Sequence, residues 1–361
     1  MEELDKVDIS ETWLWKRHSR AFEKLLIDHT TKVNIIWATD SYADSGDGYG
    51  FYDHIKPEKI VGEHGLTIRP RAVKNRDEQV KRVKDKAEVF TPSWVCNAQN
   101  NLIDEAWFGK EIVDKRGGIF NRELVDENGR HYWEPILEPI PFPEGKTWKN
   151  YIEDMRLEIT CGEAPYLVSR YDAVTGEPID DLKRRIGLLD RKLRVIDENT
   201  TTKEEWTDAM RTALESTYGY EWQGDSLLLA REAVLFTVLD YYQAKFHKML
   251  HPKTIESIAY IISWNLWQMD GLKNAIPGTL ELYKEAPSLN FDLEPVSASD
   301  GTIKEDPGID EAEAMERKVH EIWKTSDHLK YCLIRDWKTF RLGKGKDKKD
   351  LSDVQFSSLL H

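Results

Sequence analysis

A chain of 361 residues, 40% hydrophobic and 32% charged, is long enough for one large core or two ordinary ones, and its composition excludes a wholly disordered or fibrous protein. The formal net charge of −14 excludes a surface that holds nucleic acid by overall basicity, so any such role needs a local basic face or a partner that supplies one. No run approaches the roughly 20 apolar residues of a membrane span, Met1–Ile9 lacks a signal-peptide core, and Cys96, Cys161 and Cys332 fit neither a metal spacing nor a disulfide framework, which together predict a cytoplasmic protein without a metal.

Along the chain, Trp13, Trp15, Phe22, Leu25 and Leu26 recur at helical spacing and predict a helix within residues 10–30. Val33–Trp37 reads as a strand that runs into a Gly/Asp/Tyr-rich loop at 39–50. That loop has no lysine at P-loop spacing, which favours a connecting loop or lid over a phosphate cradle. Residues 69–86 hold the strongest basic run, a candidate for phosphate-backbone contact that three acids dilute. In Phe90-Thr91-Pro92, Thr91 suits a helix N-cap and Pro92 a first turn, with Val95, Ala98, Leu102 and Ile103 giving the helix an apolar side. Asn128-Gly129 between Leu124-Val125 and His131–Trp133 predicts a hairpin inside an insertion at 109–150.

Next comes Leu157–Ile159, a short strand, followed by a turn of small residues, Cys161-Gly162-Glu163-Ala164, and a helix expected from Pro165. Such a turn aims backbone N–H groups at an approaching ligand, or serves packing alone. Arg185–Arg191 reads as a second strand ending near the acid Asp190, where a nucleotide-binding unit places a carboxylate for ribose hydroxyls. Helical spacing at 203–217 leads to a third strand at 220–227 that closes on Gly224-Asp225. A long amphipathic helix at 229–250 and a near-continuous apolar run at 258–268, read as a fourth strand, follow. Strands alternating with helices predict a mostly parallel sheet with helices on both faces and a ligand at the carboxyl ends of the strands.

Glu88–Pro92, then Glu158-x-x-Cys161-Gly162-x-Ala164-Pro165, then Asp190 and Gly224-Asp225 resemble, over roughly residues 85–270, the cofactor motifs of amino-group, adenine-specific DNA methyltransferases of restriction-modification systems. The resemblance implies an α/β Rossmann-type fold with S-adenosylmethionine as cofactor. It places Phe90, Thr91 and Pro92 at the cofactor's amino-acid end, Glu158, Cys161, Gly162 and Ala164 beside it, Asp190 at the ribose and Asp225 at the adenine amine. The family's catalytic Asn-Pro-Pro-aromatic motif aligns with Ser263–Gln268, where both prolines are missing. Asn265 then orients the target amine while Trp267 or Trp264 stacks on the extruded base. The implied reaction is methyl transfer to the exocyclic amine of a DNA base, adenine favoured, by a modification enzyme or subunit of a restriction-modification or phage system. The alternative is a catalytically inactive methyltransferase-like subunit that binds cofactor or a protein partner. With no separate recognition module visible after residue 270, DNA is expected to be reached directly or through a partner subunit, with a specificity or nuclease subunit as a further partner and no membrane involved. The expected organisation is an N-terminal region at 1–86, a core at 87–275, and at 276–361 a linker followed by a helix, a strand at 331–337 closing the sheet, and a basic tail.

Overall fold

The computed structural model describes residues 10–74, 91–278, 331–342 and 353–356. Phe90, the basic run at 75–86, the linker at 279–310, the expected helix at 311–323 and the basic tail at 343–349 lie outside the described residues. The described chain is mixed α/β, with one three-stranded parallel sheet and two antiparallel pairs. Among the described residues no helix is long and apolar enough to cross a membrane.

Helix α1 (Glu11–Leu26) starts where the Ser10 side chain accepts the Trp13 N–H, and buries Leu14, Phe22, Leu25 and Leu26. The segment expected as a strand at 33–37 instead runs extended with isolated bridges, Ile27 to Asn34 and Ile36 to His54, followed by the short α2 (Pro57–Ile60). α3 (Ser93–Phe108) and α4 (Lys110–Arg116) precede the expected hairpin, β1 (Asn121–Val125) antiparallel to β2 (His131–Pro135). Asp126 closes its turn by accepting the N–H groups of Asn128 and Arg130, and Gly129 supplies a φ of +78°. α5 (Trp148–Glu153) leads into β3 (Arg156–Glu158).

Two expected strands are helical. From Leu188 the chain forms α6 (Leu188–Asn199), because Gly187 opens a helix whose third residue, Asp190, accepts the Gly187 N–H. Asp190 therefore ends no strand. α7 (Lys203–Glu215) begins with a reciprocal pair, Thr202 capping the Glu205 N–H and Glu205 accepting the Thr202 N–H. β4 (Thr217–Glu221) follows, then α8 (Gly224–Phe246), in which every residue from Gly224 to Leu239 is buried. A helix buried on all sides, with Asp225, Arg231 and Glu232 inside as well, belongs at the centre of a fold and is not the amphipathic helix expected at 229–250. The run read as a fourth strand is α9 (Pro252–Asn265), with only Leu266–Gln268 left as β5. Its buried Ile255, Ile258, Ala259 and Ile262 repeat at i, i+3, i+4 and i+7, and in so apolar a run periodicity alone does not separate buried helix from buried strand.

The parallel sheet has the order β3-β4-β5, with Leu157 opposite Tyr218 and Tyr220 opposite Trp267. Arg231 of α8 ties the layers together: its buried guanidinium donates to carbonyls of Leu25, Ile27, Ser263 and Leu266. One hydrophobic core runs from Leu14 and Trp37 through Leu193, Leu229 and Ile262 to Trp337, so the N-terminal region packs into the same core as the rest. At the C-terminal side, β6 (Leu333–Arg335), α10 (Trp337–Leu342) and β7 (Asp353–Gln355) follow. β6 pairs antiparallel with β7 and does not close the parallel sheet as expected.

Candidate functional site

The carboxyl ends of the three parallel strands carry Glu158, Glu221 and Gln268, and each side chain clips a loop to its neighbour. Glu158 is buried and accepts the N–H groups of Tyr166 (3.3 Å) and Leu167 (3.1 Å), which folds the following turn back over the strand. Burial, opposed by those two donors, holds its carboxyl well above the usual range. Within the turn Thr160, Gly162 and Ala164 all have positive φ, at 47°, 54° and 62°. Left-handed backbone at two non-glycine residues is uncommon and persists only where the surroundings impose it. No helix follows at Pro165; turns, a bridge between Tyr171 and Pro178 and a 3-10 turn at Leu182–Arg184 lead to the next α-helix at Leu188.

β4 imposes that conformation. The Cys161 N–H donates to Tyr220 O at 2.8 Å, and the Gly162 N–H donates to Glu221 Oε2 at 2.8 Å. The other Glu221 oxygen accepts the Gln223 N–H at 3.1 Å, so one carboxylate joins the turns after β3 and β4. Burial pushes the Glu221 carboxyl up, while the Gly162 and Gln223 donors lower it. A methyl group placed on Gly162 would meet nothing within 4 Å, so the Cα of this turn faces open space, while the N–H groups of Cys161, Gly162 and Ala164 are bonded to Tyr220 O, Glu221 and Cys161 O. Gly224 is different: a methyl there would lie 2.0 Å from Ile36 O, so this glycine permits close packing of the N-terminal segment. Gln268 completes the edge, donating to Ile36 O and Trp222 O and accepting the Ile36 N–H.

The predicted residues divide into those this edge gathers and those it does not. Thr91 and Pro92 stand at the start of α3, near the turn: the Tyr166 hydroxyl, pushed up by burial, hydrogen-bonds Thr91, and Asn100 of α3 donates to Tyr166 O at 3.0 Å. Pro92, rather than Thr91, is the helix-capping residue, and the Asp172 carboxylate supplies the acceptor for the Ser93 N–H at 2.9 Å. Cys161 and Ala164 are buried within the turn, and burial drives the Cys161 thiol well up, so it presents no thiolate. Asp225 is fully buried at the start of α8, where it accepts the Tyr42 hydroxyl at 2.7 Å and lies 3.8 Å from the Lys74 ammonium. Asp190 is equally buried and ends no strand; it accepts the Ser169 N–H, the Ser169 hydroxyl and the Gly187 N–H.

Asn265 and Trp264 precede β5 and so belong to the amino end of the sheet, opposite the edge just described. The Asn265 amide donates to Leu214 O and Thr217 O, and its oxygen accepts the Trp337 indole N–H at 2.7 Å, which uses its hydrogen-bonding capacity inside the fold. Trp264 is buried, stacked on His29 with centroids 4.0 Å apart, and the Arg335 guanidinium lies 3.8 Å from its ring. Trp267 is buried on the sheet face against Tyr220 and Phe356.

Glu221 went unnoticed in the sequence although it ends the strand next to β3. Thr217–Glu221 carries the pattern of that strand, but a strand set at 220–227 hid its end. The Gly224-Asp225 pair that follows, opening a helix, marks where the strand stops. Among the described residues no group of three or more His, Cys, Asp or Glu side chains is placed to hold a metal. Compared with known proteins, the chain matches no family model, no curated protein and no solved structure.

Proposed function

We propose that the protein is an S-adenosylmethionine-dependent methyltransferase of Rossmann type that acts on the exocyclic amine of a DNA base, adenine favoured, as the modification enzyme or subunit of a restriction-modification or phage system. One observation carries the reading: two adjacent parallel strands end in an open left-handed glycine turn and in a carboxylate, with the Gly162 N–H donating to Glu221. Ligands of open α/β sheets enter at the carboxyl ends of the strands, and the acid ending the neighbouring strand is the one that meets ribose hydroxyls. That role passes from Asp190 to Glu221, because Asp190 lies in α6 with one oxygen taking three donors.

Gly162, Ala164 and Thr91 would hold the cofactor's amino-acid end, and Glu221, whose two oxygens accept the Gly162 and Gln223 N–H groups, would take the ribose by exchanging one of those donors. Asp225 acts through Tyr42, whose hydroxyl it fixes. S-adenosylmethionine bound here would supply an electrophilic methyl group on a sulfonium. The chain's task is then to hold the acceptor amine in line and dry, which needs position more than Lewis-acid help.

A second reading, a cofactor-binding subunit that performs no transfer itself, is favoured by the place of Asn265 and Trp264 at the opposite end of the sheet. Incubation of the full chain with tritiated S-adenosylmethionine and mixed-sequence DNA separates the two. Label in DNA supports the enzyme; cofactor binding without label, with and without neighbouring gene products, supports the subunit. Absence of cofactor binding overturns both.

A further inference from the structure

At the amino end of the parallel sheet, α7, α9 and α10 line an open pocket of about 430 Å³. That volume falls in the range of small-molecule sites and is far more than the ~30 Å³ of a single water. Its walls pair three aromatic rings with two guanidinium groups: Tyr260 from α9, Trp337 and Phe340 from α10, Arg211 from α7 and Arg341 from α10. The Asn265 oxygen holds the Trp337 indole N–H at 2.7 Å, and the rings of Trp337 and Phe340 meet edge to face at 5.6 Å, so the aromatic wall is set in place by the fold.

The charges also converge. Arg211 is 45% exposed and its acidic neighbour, Asp208 at 3.4 Å, is 76% exposed, so that ion pair is weak and the guanidinium is free to turn inward. Arg341 is ion-paired with the buried Glu215. Burial and the proximity of Arg211 both lower the Arg341 pKa, as expected where two guanidinium groups share one space. An adjoining cavity of about 180 Å³ shares Arg211 and adds Lys253. Three basic and two acidic side chains line the joined space, a local positive excess in a chain of net charge −14.

We infer that this cavity binds a nucleoside monophosphate unit, free or within a single strand, with its phosphate on Arg211 and Arg341 and its base against Tyr260, Trp337 and Phe340. Guanidinium forks match phosphate oxygens, and aromatic faces take any base by stacking. The site lies at the end of the sheet opposite Gly162 and Glu221, so it is distinct from the proposed cofactor edge.

The test is isothermal titration of the full chain with AMP and, separately, with a mixed-sequence single-stranded DNA decamer. The inference predicts saturable binding of at least one probe, weakened about tenfold or more by Arg211→Glu and severalfold by Phe340→Ala. AMP binding alone identifies a free nucleotide as the source, and decamer binding alone a strand. Excess S-adenosylmethionine leaves the binding in place. Arg211→Ala, at an exposed position, serves as a second variant should the charge reversal unfold the chain. The inference is overturned if neither probe binds saturably, if the Arg211 and Phe340 variants bind as tightly as the parent, or if S-adenosylmethionine displaces the probe.

Discussion

At Asn265, a side chain of the type that orients an amine in catalysis is occupied by three internal hydrogen bonds, to Leu214 O, Thr217 O and the Trp337 indole. Asn265→Ala is expected to destabilise the fold by about 3 kcal/mol, since it leaves buried donors and acceptors without partners. A residue with a catalytic role alone would leave the denaturant midpoint unmoved. The two glycines of the carboxyl edge part company in the same assay. Gly224→Ala forces a methyl group to within 2.0 Å of Ile36 O and should cost about 3 kcal/mol or more through overpacking. Gly162→Ala meets no neighbouring atom and should cost only about 1 kcal/mol, for holding an L residue at positive φ.

Among the elements, those with a long amphipathic stripe or a turn signature were legible in the sequence: α1 by its aromatic spacing, α7 by its period, α8 by its length and the hairpin by Asn128-Gly129. Thr202→Ala should cost about 1 kcal/mol by removing the cap of α7, read as a shift in thermal midpoint. What was not legible has two physical causes. β3 and β5 are three residues long, too short for a two-residue period to register, and the apolar run before β5 is a helix buried against α1 and α8. The candidate site was legible where chemistry is local, in the small-residue turn at Cys161–Ala164. It was illegible where chemistry depends on pairing: that β4 lies beside β3, and so sets Glu221 against Gly162, is a non-local fact. Asp190 looked right because an acid after an apolar run suits a strand end as well as a helix's first turn.

For the whole molecule, buried carboxyls bear on stability against pH, and two of them, Glu11 of α1 and Glu232 of α8, face each other from different helices. Burial raises Glu11 to about 8, and burial followed by the nearby Glu11 raises Glu232 well above its ordinary value. Acids with raised folded-state pKa stabilise fully below their unfolded value near 4.5, and that contribution is lost as pH rises through the folded value. Urea midpoints should therefore fall between about pH 5 and pH 9, and Glu232→Gln should flatten the fall; an unchanged profile in that variant would assign the loss elsewhere. The charge of −14 bears on the proposed function in the same way, since an acidic chain that acts on DNA needs a local basic surface or a second subunit. The account rests most heavily on the carboxyl edge of the parallel sheet, and calorimetric titration of the full chain with S-adenosylmethionine tests it most directly. The expected result is saturable one-to-one binding that Glu221→Gln weakens about tenfold or more while Arg211→Ala leaves it intact; no binding, or a Glu221→Gln variant that binds as the parent does, would contradict it.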